Sequence, residues 1–128
     1  MPESSLETVI APWLSLRDSG RALDFYTAAF GAVQTYRMDT PDGVIARLSV
    51  GGAQFWVSPA ESSKDGAEAV GGGTIRLILV VPDPDAAFAR AIGAGATEVF
   101  PVGEAHGWRL GRLTDPFGLD WEIGRELA

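Results

Sequence analysis

Residues Gly107–Gly124 read G-W-R-L-G-R-L-T-D-P-F-G-L-D-W-E-I-G, and this stretch decides the fold. Two runs rich in Trp, Leu, Ile and Thr flank Asp115-Pro116-Phe117-Gly118. Proline at the second turn position fixes φ, aspartate at the first accepts a local hydrogen bond, and glycine at the fourth suits a type I turn. The stretch therefore predicts a hairpin. On its second strand Leu119, Trp121 and Ile123 alternate with Asp120 and Glu122, so one face is apolar and the other carries two carboxylates.

Upstream of this hairpin the chain performs one pattern twice. Val9 to Leu16 reads as a strand, with Ile10, Leu14 and Leu16 on one face and Ala11, Trp13 and Ser15 on the other. Pro12 suits a strand edge, because it has no N–H to donate. Asp18 or Ser19 can cap a helix whose apolar stripe is Ala22, Phe25, Tyr26, Ala29 and Phe30, ended by Gly31. Strands are expected at Val33–Met38, Val44–Val50 and Gln54–Ser58, joined at Pro41-Asp42-Gly43 and Gly51-Gly52. A Ser-, Gly- and Ala-rich linker fills residues 59–73. Thr74 to Val81 then predicts a strand with Ile75, Leu77, Leu79 and Val81 on one face. Asp83 and Pro84 start a helix with the stripe Ala87, Phe88, Ala91 and Ile92, ended by Gly95. Strands near Glu98–Val102, Trp108–Thr114 and Leu119–Ile123 complete it. The result is an α+β chain of tandem βαβββ modules, module one at about 6–58 and module two at about 74–124, within a single domain spanning 1–128.

Composition narrows the function. The chain has 128 residues, 46% of them hydrophobic, which allows one domain with a substantial core. Its net charge of −7 argues against a nucleic-acid or anionic-membrane partner, since either needs a basic patch. The absence of cysteine removes disulfides and thiolate metal sites. The N-terminus lacks the basic start and apolar run of a secretion signal, and no apolar run could span a bilayer. These features predict a soluble, cytoplasmic protein.

The text Leu23–Ala32 (L-D-F-Y-T-A-A-F-G-A), Val81–Ala96 (V-P-D-P-D-A-A-F-A-R-A-I-G-A-G-A) and Asp115–Glu122 (D-P-F-G-L-D-W-E) resembles the vicinal oxygen chelate superfamily. That group includes glyoxalase I, bleomycin-resistance proteins, fosfomycin-resistance enzymes and ring-cleaving dioxygenases. The resemblance implies a glyoxalase/bleomycin-resistance-like fold, with the modules forming a cup-shaped mixed sheet, and it implies a homodimer. It does not choose among the chemistries the fold carries. Metal-dependent members place ligands on the first and last strand of each module. Carried onto this sequence, those places fall at Ala11, Val57, Arg76 and Glu122. Only Glu122 can ligate a metal. Ala11 and Val57 offer no donor, and a guanidinium repels a cation. The only histidine, His106, reads as an exposed loop residue. The expectation is therefore no metal and no cofactor.

Other side chains take the cup. The faces turned from the helices carry Trp13 and Ser15, Arg47 and Ser49, Arg76 and Ile78, and Asp120 and Glu122. If Leu113 faces the core, Trp108, Leu110 and Arg112 join them. Trp56 and Trp121 are expected on the helix-facing side. Two readings compete for the charged set. In one, Glu122 pairs with Arg47 or Arg76 and fills the place of the metal. In the other, Arg47, Arg76 and Arg112 fork onto a carboxylate or phosphonate while Trp13 or Trp108 stacks on a flat or cationic group. The candidate ligand-binding set is thus Trp13, Arg47, Arg76, Trp108, Arg112 and Glu122. Glu122 is also the candidate catalytic residue, as a general base. No serine has a visible histidine partner for nucleophilic catalysis. The leading expectation is metal-independent binding of a small aromatic or anionic molecule. The alternatives are a glyoxalase-like metal-dependent lyase or isomerase, a dioxygenase-related enzyme, and a metal-free enzyme using Glu122.

Overall fold

The computed structural model describes residues 8–60 and 76–128. Within them the element order is β1 (Trp13–Leu16), α1 (Ser19–Phe30), β2 (Val33–Thr40), β3 (Gly43–Val50), β4 (Ala53–Pro59), β5 (Leu77–Val80), α2 (Pro84–Gly93), β6 (Thr97–Ala105), β7 (Trp108–Thr114) and β8 (Asp120–Glu126). These form two four-stranded mixed sheets, ordered β1-β4-β3-β2 and β5-β8-β7-β6. In each, the first strand runs parallel to the last and the others are antiparallel. The tandem α+β pattern expected from the sequence is the observed one. Among the described residues no helix is long and apolar enough to cross a membrane.

Local chemistry accounts for the boundaries. Asp18 caps α1 by accepting from the Arg21 N–H at 3.0 Å. Ser19 instead accepts from the Val44 N–H at 3.2 Å, tying the helix start to β3. Gly31, at φ 71°, closes α1 in the left-handed conformation. Asp83 caps α2 and Pro84 occupies its first turn. The strand expected from Val9 begins only at Trp13. Pro12 has no N–H and contributes only its carbonyl, to the Trp56 N–H, and Ile10 is 99% exposed rather than sharing the face of Leu14 and Leu16. β6 runs beyond Val102 to Ala105, because register shifts on either side of Phe100 carry Pro101 through an edge strand. Thr74, Ile75 and most of the expected linker lie outside the described residues.

The helix-facing sides of both sheets share one buried cluster. Tyr26 and Phe30 of α1 meet Trp121 of β8 at ring-centroid distances of 5.8 and 4.8 Å, and Phe55 of β4 meets it at 5.7 Å. The D-P-F-G turn locks this junction. Its Gly118 N–H reaches the Asp115 carbonyl at 3.1 Å. The Asp115 carboxylate is buried and accepts four hydrogen bonds, from the Phe117 and Leu119 N–H groups, the Trp121 indole at 2.9 Å and the Tyr26 hydroxyl at 2.5 Å. A turn-former by sequence is thus also the polar bolt between the modules.

Candidate functional site

Alternation places the second face of each sheet away from the shared core. In the N-terminal sheet Val44, Ala46, Leu48, Phe55 and Val57 are buried toward the helices, so Ile45, Arg47, Trp56 and Ser58 lie on the other face. This corrects two expectations. Trp56 is not on the helix-facing side, and Val57 does not stand where Glu122 stands in the second module. The strand registers settle it. One row crosses the N-terminal sheet as Trp13, Trp56, Arg47 and Tyr36. The matching row crosses the C-terminal sheet as Ile78, Glu122, Arg112 and Phe100. Trp56 is therefore the counterpart of Glu122, and Arg47 the counterpart of Arg112.

The two rows have different chemistry. Trp13 stacks on Trp56 at 5.2 Å with planes 16° apart, and its indole donates to Ser58 Oγ at 2.9 Å. The Arg47 guanidinium lies 5.4 Å from the Trp56 ring, held by Thr35 Oγ1 at 2.8 Å and the Thr35 carbonyl at 3.3 Å. Tyr36 closes the row 5.6 Å from Trp56. The result is an aromatic–cation stack with the edge residue Trp13 53% exposed. In the C-terminal row Arg112 donates to Glu122 Oε2 at 2.9 Å, and Arg76 Nε approaches the same oxygen at 3.8 Å. Glu122 is 17% exposed and Arg112 24%, so this pair is largely withdrawn from water. The Arg112 guanidinium also lies over Phe100 at 5.4 Å.

The six residues expected to form one site are therefore divided. Arg76, Trp108, Arg112 and Glu122 belong to the C-terminal face, and Trp13 and Arg47 to the N-terminal one. Of the two partners expected for Glu122, Arg76 is the one it meets and Arg47 is not; Arg112 joins as the closer partner. Leu113 does face the core, which puts Trp108, Leu110 and Arg112 on the open face.

Each face lines its own cavity. About 640 Å³ opens beside Trp13, Ile45 and Ser58. About 500 Å³ opens on the C-terminal face, lined by Phe100, His106, Trp108, Leu110, Glu122 and Ile78 among others. A small residue clears part of this second space: Gly103, in its lining, stands opposite Leu110, where the N-terminal sheet has Met38 opposite Ile45, and Gly124 flanks Leu110 on the other side. A side chain on Gly124 would meet the Arg109 carbonyl and the Leu110 side chain. His106 is exposed, as expected of a loop residue, but it also hangs at this chamber from the β6–β7 turn.

The site does not fit the metal used by some vicinal oxygen chelate proteins. Glu122 is committed to two guanidinium groups, Ala11 and Trp56 bring no donor, and Arg76 repels a cation. Among the described residues no three His, Cys, Asp or Glu side chains gather.

Sequence reasoning missed Trp56, Phe100 and Asp115. The alternation of buried Phe55 and Val57 would have exposed Trp56. The bulges around Phe100 left no such signal. The spacing of Asp115 from Trp121 was visible, but its partner Tyr26 is 89 residues away.

The comparisons agree with this architecture. The glyoxalase-like domain family matches residues 12–123. An uncharacterized protein, Mb0911c of Mycobacterium bovis, is 34% identical over 96% of this chain and 86% of its own length. The crystal structure of TioX from Micromonospora sp. ML1 superposes with a TM-score of 0.75 at 28% identity, covering 94% of this chain and all (100%) of that one. TnmS3, an antibiotic binding protein from Streptomyces sp. CB03234, shares the fold with a TM-score of 0.73 at 19% identity, covering 95% of this chain and 98% of its own. With two βαβββ modules, the D-P-F-G hairpin and a family match over nearly its whole length, the chain belongs to the glyoxalase-like domain family of the vicinal oxygen chelate superfamily.

Proposed function

We propose that this protein binds a small aromatic molecule, without a metal, on the open faces of its sheets. The observation that carries the reading is the Arg112–Glu122–Arg76 cluster, which takes the last carboxylate of a chelating scaffold and sits beside a cavity walled by aromatic and aliphatic side chains. A concave apolar space with few polar groups is the usual form of a small-molecule site. That TnmS3 is an antibiotic binding protein supports the same direction. Anionic groups on a ligand meet the Arg47 guanidinium of the N-terminal face. A homodimer fits this reading. Ile78 and Val80, on edge strand β5, are 49% and 58% exposed, and a second copy would cover them.

A Trp-fluorescence screen of aromatic acids and their uncharged analogues tests the proposal. Saturable quenching that survives excess chelator is expected. No saturable response from any compound would sink it. Sedimentation equilibrium tests the pairing, with twice the chain mass expected.

A further inference from the structure

The 500 Å³ chamber on the C-terminal sheet carries a more specific message than its apolar walls. The hydrogen bond from Arg112 and the closest approach of Arg76 both fall on one oxygen of Glu122, Oε2. Its other oxygen, Oε1, takes no hydrogen bond from a described residue and keeps some exposure, since the only described buried side-chain atom without a partner is Arg112 Nε, and Glu122 lines the chamber. The chamber floor thus offers one open acceptor.

The charges around that acceptor decide what it takes. Two guanidinium groups against one carboxylate leave a net positive cluster, which opposes an ammonium ion. An anion would face Glu122 Oε1 directly. Glu104, at the rim, is committed to Arg109 at 3.3 Å. Phe100 and Trp108 provide ring surfaces, with Ile78 and Leu110 between them. His106 stands at the same chamber with φ 55°, an uncommon backbone conformation for a residue with a side chain, and has no partner among the described residues.

We infer that this chamber is a site for an uncharged aromatic molecule carrying a hydrogen-bond donor, a hydroxyl or an amide N–H, which donates to Glu122 Oε1 while His106 closes over the ring. This deepens the binding reading given above and rests on it. It assigns His106 and Phe100 to ligand contact, and it makes the C-terminal face, not the Trp13 stack, the principal chamber.

The test is calorimetric titration at neutral pH with three probes of one shape: 2-naphthol, 2-naphthoate and 2-naphthylmethylammonium. The naphthol is expected to bind about tenfold more tightly than either ion, because the naphthoate sets a second anion against Glu122 Oε1 and the ammonium meets the net positive charge of the two guanidinium groups. Trp108→Leu is expected to weaken naphthol binding about tenfold, and Trp13→Leu less than about twofold. Leu110→Trp, which fills the chamber and leaves every charge in place, is expected to abolish binding, and it carries the test if Trp108→Leu does not fold. Naphthol binding untouched by the chamber variants overturns the inference. Tighter binding of naphthoate, lost in Trp13→Leu, overturns it too but leaves the small-molecule reading standing. Binding of none of the three overturns both.

Discussion

The N-terminal and C-terminal sheets have the same strand order, matching registers across their first, third and fourth strands, and opposite chemistry at one position. On the fourth strand of each module stands Trp56 in one and Glu122 in the other, each beside an arginine from the strand before. Arg47 lies over an indole ring and is bound to Thr35; Arg112 is paired with a carboxylate. A guanidinium serves both, because its flat face stacks on an aromatic ring while its edge forks onto an anion. The two modules therefore present a self-stacked aromatic face and a charge-closed chamber.

That difference predicts unequal costs for one substitution made twice. Arg112→Leu strands the Glu122 carboxylate beneath the chamber with only the distant, half-exposed Arg76, and is expected to cost about 3 kcal/mol in urea denaturation. Arg47→Leu removes a cation–π contact on a wetter surface and is expected to cost about 0.5–1 kcal/mol. Equal costs would mean that the two faces are not chemically distinct.

Between these in size lies the junction joining the faces. Tyr26→Phe deletes a hydrogen bond to a buried carboxylate and is expected to cost about 2 kcal/mol. Its pH dependence has a definite sign. Burial, then the Asp115 charge, raises the Tyr26 pKa well above its ordinary value of 10. The folded state therefore holds the phenolic proton more tightly than the unfolded state. The stability this confers is full below about pH 10 and is lost as pH rises above it. Urea midpoints measured from neutral to strongly alkaline pH should fall for the wild type, and fall less for Tyr26→Phe.

The sequence made the modules legible because their signals are local: the caps at Asp18 and Asp83, the stripes of α1 and α2, and the D-P-F-G turn. Glu122, Arg76, Arg112 and Trp108 were placed on one face by alternation alone. What alternation could not supply was the pairing between strands. Placing Val57 opposite Glu122 slips the first module by one residue, and in a strand one residue reverses every side chain. That slip hid Trp56. The division of the expected residues between two faces has a different origin. Which open face belongs to which cavity depends on how the modules pack through Tyr26, Phe55 and Trp121, contacts far apart in the chain.

The claim on which the rest depends is that guanidinium groups, not a metal, hold the Glu122 carboxylate. Elemental analysis of protein produced in medium supplemented with zinc, nickel, manganese and iron, and purified without chelator, tests it most directly. Metal far below one equivalent per chain is predicted. One equivalent bound in the wild type and lost in Glu122→Gln would contradict it.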